Sequence, residues 1–374
     1  MALRPLEAGF ELPASADFHV HLRDGAMMET VVPTIRSGGV NTVYVMPNLT
    51  PPITTVEHAR AYHARLTALA PSVTFLMTLY LHPSLTPSTI AAAKASGIIH
   101  GVKAYPAGVT TNSAASGLTS FAPFHPIFAA MQDHDLVLNL HGEVPPSTTT
   151  GPAQDHPTIL TAEEAFLPTL RSLHASFPRL RIVLEHATTA AALAAVRTCG
   201  PTVAATITAH HLHLTVDDWA ADPFAYCKPV AKTPADRAAL VRAVVAGEGR
   251  FFLGTDSAPH TVSAKRGGPG GRGRTAAGVF TQPWATQLVL DALEKAVESG
   301  IVGEGEVRTE VLEGFLGVYG RRFYRLKESG ERIVVKKEQG EKVAEVVTGN
   351  EGVQIVPFRS GEETWTVQWK KGGS

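Results

Sequence analysis

Eight short apolar runs punctuate the chain, with polar residues clustered toward the C-terminal ends of most: DFHVHL (17–22), NTVYVMPN (41–48), VTFLMTLYL (73–81), GVKAYP (101–106), LVLNLHGE (136–143), RIVLEHAT (181–188), TVAATITAH (202–210) and RFFLGTDSAPH (250–260). Most are almost continuously apolar rather than alternating, the mark of parallel strands covered on both faces. Between them lie stretches of helical period. TTVEHARAYHARLTALAP opens on threonines suited to N-capping and closes at Pro71, and AEEAFLPTLRSLHASF and TPADRAALVRAVVAG read the same way. Strand–helix alternation repeated eight times predicts an α/β fold of the (β/α)8, TIM-type barrel class over residues 1–326. A doubly wound open sheet is the alternative, weakened because no GxGxxG follows an early strand. Residues 327–374, with RIVVKKEQGEKVAEVV, VQIVPF and TWTVQW, predict a small β-rich extension packed on the barrel.

The polar residues gather at the C-terminal ends of the runs, the rim where barrel enzymes carry their active sites. His19, His21, Asn48, Lys103, His141, His186 and Asp256 all obey this rule. In a strand, residues i and i+2 face the same side, so His19 and His21 can grip one ion. An isolated HxH is more simply two surface histidines; the later strand ends change that balance. The net charge of −1 gives no global attraction to nucleic acid or anionic membrane. Two cysteines, Cys199 and Cys227, make no disulfide framework and suggest a reducing compartment. The N-terminal stretch lacks an apolar signal core, and no apolar run approaches the roughly 20 residues of a membrane span. The expectation is a soluble, cytoplasmic protein without nucleic-acid or membrane partners. The Gly/Arg-rich residues 264–274 read as a flexible loop, too short in a neutral chain for a nucleic-acid arm.

Two histidines and a carboxylate leave open positions on a catalytic zinc, and two further histidines can hold a second ion. A bridging group must then join them. A buried lysine can lose its proton and react with CO2 to give an anionic, bidentate carbamate. Lys103, in a buried strand beside that of His141, is the candidate; its plainer reading is a snorkelling or salt-bridged lysine.

Taken together, HVHLRDG, MPNLTPPITT, GVKAYPAGVTTNS, LNLHGE, LEHATT, AYCKPV, GTDSAPH and VPFRSGEETWTVQW span nearly the whole chain. In this combination the sequence resembles the monofunctional (type II) dihydroorotases of bacteria and fungi, in the amidohydrolase superfamily. The resemblance implies two Zn2+ per subunit: His19, His21 and Asp256 on the more buried ion, His141 and His186 on the other, and Lys103, carboxylated by CO2, between them. It implies that Asp256 moves the reacting proton. It assigns Arg23, Asn48 and His260 to the substrate carboxylate, with Thr110 and Thr111 on a closing loop. His141 and the backbone around Lys228 and Ala277 would complete the pocket. The implied reaction is reversible cyclisation of N-carbamoyl-L-aspartate to L-dihydroorotate in pyrimidine biosynthesis, by a homodimer. The Gly/Arg-rich stretch appears longer than that pattern anticipates, which leaves the path to Ala277 open.

Other residues take plainer readings. His210, His211 and His213 repeat the HxH spacing but are expected to pack or hydrogen-bond rather than ligate, and Cys227, without a CxxC partner, reads as a structural thiol. Glu143 shares a strand face with His141 and could orient it, whereas Glu185, adjacent to His186, is expected to point toward the helices. The competing functions are another cyclic amidohydrolase, such as a hydantoinase or allantoinase, and a non-catalytic barrel scaffold. A mononuclear deaminase would leave Lys103 without a use.

Overall fold

The apolar runs form the strands that their pattern predicts. The computed structural model describes residues 9–107, 117–145, 156–271 and 273–370. After a short first strand, β1 (Phe10–Pro13), come β2 (Ser15–Val20), β3 (Val40–Val45), β4 (Thr74–Tyr80), β5 (Ile99–Ala104), β6 (Val137–His141), β7 (Ile182–Glu185), β8 (Val203–Ile207) and β9 (Phe251–Leu253). Strands β2 to β9 form one eight-stranded sheet in chain order, and every neighbouring pair is parallel. The last strand returns to the first: Asp256 N donates to the His19 carbonyl at 2.8 Å, and His21 N donates to that of Ser257 at 2.9 Å. The chain therefore forms a (β/α)8 barrel.

Both faces of the sheet are apolar, as continuous hydrophobic strands require. Ala16, Phe18, Tyr44, Leu76, Val137, Val183, Ala204 and Phe252 fill the barrel and meet Tyr324 from the chain beyond it. Phe18 stacks on Tyr324 with ring centroids 5.1 Å apart and meets Phe252 edge-on at 5.3 Å. A larger core lies between the sheet and the surrounding helices. Those helices begin where threonine caps stand. The side chain of Thr55 accepts from His58 N, that of Thr189 from Ala192 N, and that of Thr233 from Asp236 N. No helix among the described residues is long and apolar enough to cross a membrane.

The terminal strands make a separate small sheet. β1 pairs antiparallel with β10 (Arg332–Lys336), which pairs with a strand at Thr366–Trp369. The sequence reading assigned this β-rich piece to the C-terminal residues alone; Phe10–Pro13 supplies its third strand. The Arg36 guanidinium lies 3.4 Å over the ring of Trp369 and ties the sheet to the barrel. Residues 264–274, read as a loop, begin within a helical turn at Val262–Lys265 that Thr261 caps.

The inner core makes the barrel floor sensitive to lost volume. Phe252→Ala should lower the unfolding free energy by about 3–5 kcal/mol through the cavity it leaves, measurable by denaturant titration. A loss under about 1 kcal/mol would mean that the floor repacks freely.

Candidate metal centre and active site

A bulge in β2 aims the first two histidines. Asp17 pairs with Val43 and Val20 with Val45, so three steps on β2 match two on β3. One extra residue shifts the facing of the strand beyond it. Ala16 and Phe18 belong to the inner core, yet His19 and His21, one register out of phase with them, both line the pocket at the rim. That pocket is also lined by Arg23, Asn48, Tyr105, His141, His186, Lys228, Asp256 and Ala277. Lys103 is wholly buried and lies 5.2 Å from the Tyr105 ring centre. His260 stands at the edge, its Nε2 3.1 Å from Arg23 Nη2 and 3.0 Å from the Ala277 carbonyl oxygen. Thus every site residue named from the sequence gathers at one end of the barrel, apart from Thr110 and Thr111, which lie outside the described residues.

Each of three histidines has one ring nitrogen occupied by a partner. His19 Nδ1 is 2.8 Å from Glu185 Oε2, His21 Nδ1 is 2.7 Å from Asn48 Oδ1, and His141 Nε2 is 2.7 Å from Glu143 Oε2. Since carboxylate and amide oxygens accept, these nitrogens carry the protons. The opposite nitrogens, His19 Nε2, His21 Nε2 and His141 Nδ1, are then the lone-pair donors. His19 Nε2 and His21 Nε2 stand 3.3 and 3.0 Å from one oxygen, Asp256 Oδ1. Lone pairs facing a carboxylate oxygen repel unless a proton or a metal cation lies between them. Burial holds the His19 imidazole well below its ordinary pKa, reinforced by the Lys103 charge. Burial likewise lowers His21. A divalent cation fits this donor set better than two buried imidazoliums. Burial alone would raise Asp256, but the facing rings of His19 and His21 hold its carboxyl well below the usual range.

The second half of the cluster adjoins the first. The ring centres of His141 and His186 are 4.6 Å apart, and His186 is 5.1 Å from His19. Among the described residues, Lys103 Nζ has no hydrogen-bond partner although it is wholly buried. Burial lowers its pKa to about 8 against the pull of Glu185 and Asp256. A buried amine of lowered pKa, without a hydrogen-bond partner and beside two sets of imidazoles, fits a carbamate bridge better than a structural ion pair.

Glu185 departs from its sequence reading. It is fully buried on the inner face, where its two oxygens take bonds from His19 Nδ1, Thr206 Oγ1 and Asn139 Nδ2. Strand alternation misleads here because His186 is not in the strand: β7 ends at Glu185, and His186 turns with φ 43°. Glu185 stands in register with inward-facing His141, so it faces inward too. Asn139 continues the network to Tyr44 and Tyr324. The signal for both was a polar residue at an inward register position of an otherwise apolar strand. Arg23, His186 and Asp256 are three of the seven non-glycine residues with positive φ among those described. Such backbone is held in place only by its surroundings and concentrates at functional sites.

The other histidine cluster is bonded only in part, since among the described residues neither ring nitrogen of His210 has a hydrogen-bond partner. His211 Nε2 and Cys227 Sγ both lie near the Pro229 carbonyl, at 3.1 and 3.2 Å, and His213 Nε2 is 2.8 Å from that of Leu288. His210, His211 and Cys227 nonetheless lie close enough together to hold an ion.

With this geometry in view, comparison with known proteins is direct. A scan against protein-family models gives no match. The chain is 47% identical over 365 residues to a probable dihydroorotase of Schizosaccharomyces pombe, covering 96% of this chain and 99% of that protein. The crystal structure of Saccharomyces cerevisiae dihydroorotase, in complex with 5-fluoroorotic acid, matches with TM-score 0.88 and 43% identity, covering 97% of this chain and 99% of the other. That of the Campylobacter jejuni dihydroorotase matches with TM-score 0.80 and 30% identity over 98% of each chain.

The partner of a metal-binding histidine sets its basicity and orientation. Glu185→Gln should weaken metal retention about 10–100-fold in chelator competition, through His19, with the fold intact. Unchanged retention would remove Glu185 from the site.

Proposed function

This chain belongs to the dihydroorotase family, and we propose that it interconverts N-carbamoyl-L-aspartate and L-dihydroorotate at a two-zinc centre bridged by carboxylated Lys103. The observation that carries this reading is the convergence of His19 Nε2 and His21 Nε2 on one oxygen of Asp256 beside an orphaned lysine. His19, His21 and Asp256 would hold one ion, His141 and His186 the other, with Lys103 common to both. When bound, the metals polarise the ring carbonyl and lower the pKa of water.

The chain's own groups do the rest. Arg23 supplies a planar fork suited to the substrate carboxylate. Its Nε donates to the Pro259 carbonyl at 3.0 Å and its own carbonyl accepts from Tyr62 Oη at 2.5 Å, which fixes its direction. Burial and the Arg23 charge lower His260 to about 3, so it stays neutral and can share that carboxylate. In hydrolysis the attacking water gives its proton to Asp256, and the new C–O bond replaces the ring C–N bond. Asp256 then returns the proton to the departing nitrogen. In synthesis the ureido nitrogen attacks the side-chain carboxyl and water leaves. Asn48, by holding His21, and Glu143, by holding His141, keep the imidazoles aimed.

The test joins metal content to turnover. Elemental analysis should find two zincs per chain, with N-carbamoyl-L-aspartate cyclised. Lys103→Ala should lose at least about a hundredfold in rate and recover part of it with short carboxylic acids. Arg23→Ala should raise KM about tenfold or more through the lost fork. Turnover of a hydantoin in place of dihydroorotate would favour a different cyclic amidohydrolase, and a Lys103→Ala variant with unaltered rate would exclude the carbamate.

A further inference from the structure

Lys265 is a buried cation that the reaction as described does not use. It ends the turn at Val262–Lys265 and is 4% exposed. Its Nζ donates to three backbone carbonyls, those of Tyr226 at 2.8 Å, Ala276 at 3.0 Å and Gly278 at 2.7 Å. An ammonium has three donors, so all are satisfied. These carbonyls come from two separate segments that both reach the pocket: Lys228 lies two residues after Tyr226, and Ala277 sits between the other two acceptors. The segments also bond directly, Gly278 N to the Tyr226 carbonyl at 3.0 Å. At Gly278, with φ 151°, a Cβ would lie 2.4 Å from the Ala258 carbonyl oxygen, so this wall is packed tightly against the rim after β9.

We propose that Lys265 is a positioning residue for substrate binding, a tripod that holds the Lys228 and Ala277 segments at the spacing the substrate ring requires. The inference rests on the dihydroorotase reading of the pocket. A methionine would fill the same space without a charge. Placing an ammonium there carries a desolvation cost that only its bonds offset, and those bonds all go to the two pocket segments. Burial lowers its pKa to about 8, the nearby Cys227 and Asp222 opposing, so it remains largely charged at neutral pH. The Gly/Arg-rich chain after it has few apolar side chains of its own. The path to Ala277 is thus anchored by one cation at the start of that chain.

The experiment compares Lys265→Met and Lys265→Arg with the unchanged enzyme in L-dihydroorotate hydrolysis, with zinc content and thermal midpoint measured on each. Lys265→Met should raise KM about tenfold with kcat within about threefold and zinc unchanged, because only ground-state and transition-state binding in common is lost. Lys265→Arg, whose flat fork reaches some but not all of the three carbonyls, should fall between. An unchanged KM in folded, zinc-replete Lys265→Met overturns the proposal, as does a fall in kcat that tracks zinc loss. Should the methionine variant not fold, the arginine variant decides: an intermediate KM supports the tripod and an unchanged KM overturns it. If the unchanged enzyme hydrolyses L-dihydroorotate while Lys265→Met keeps its KM, this inference alone falls; no hydrolysis by the unchanged enzyme removes the reading beneath it.

Discussion

Two imidazole lone pairs meet one carboxylate oxygen in a buried site, and the rest of the molecule is arranged around that encounter. Neither histidine can relieve it by turning, because Glu185 and Asn48 hold the opposite ring nitrogens. Nor is protonation cheap, because burial disfavours the imidazolium. A cation shared among His19, His21 and Asp256 resolves the conflict. The oxygens that bond the outer nitrogens decide which lone pair faces inward, so at a bound metal Glu185, Asn48 and Glu143 would matter as much as the ligands. Bringing so many polar groups together inside a barrel is costly; it is compensated by an apolar floor of Phe18, Phe252 and Tyr324.

The same chain segments that carry this chemistry are those that leave regular geometry. The bulge in β2 reverses the facing of the histidines relative to Phe18. Arg23, His186 and Asp256 then adopt left-handed backbone just past strand ends. Regular strands would send alternate side chains outward and split the cluster between rim and helix layer. The strained turns bring consecutive residues, such as Glu185 and His186, into one site. Strain of this kind persists where surrounding contacts fix it. Here the Thr206 hydroxyl accepts from His186 N at 2.6 Å and donates to Glu185 Oε2 at the same distance, binding both residues of the turn.

These departures separate what the sequence discloses from what it hides. Strand number, order and the rim position of the histidines follow from apolar runs and their polar ends, because burial on both faces leaves a continuous hydrophobic record. The C-terminal sheet was half legible: its own strands have the composition, but Phe10–Pro13 is four residues whose partner lies more than 300 positions away. Glu185 was assigned to the wrong face because parity was counted through a residue that is no longer in the strand. Lys265 left no signal, since its partners are carbonyls and every residue has one. Asp17 was likewise silent, although it binds Thr255 through both backbone and side chain.

Asp17 shows how site and fold are joined. The barrel closes between its first and last strands, and Asp17 crosses that seam, accepting from Thr255 N at 2.8 Å and from Thr255 Oγ1 at 2.6 Å. His19 and His21 lie on one side of the seam and Asp256 on the other, with the His19 carbonyl receiving Asp256 N. A cation held by these three side chains would span the joint between the first and last strands of the barrel. Asp256 lies more than 230 residues from His19 and His21 in the chain, and closure of the barrel brings the three together. A metal that binds the closed state in preference to the open one stabilises closure by its differential affinity. On the proposed reading, the same seam that closes the sheet would bring the metal ligands together.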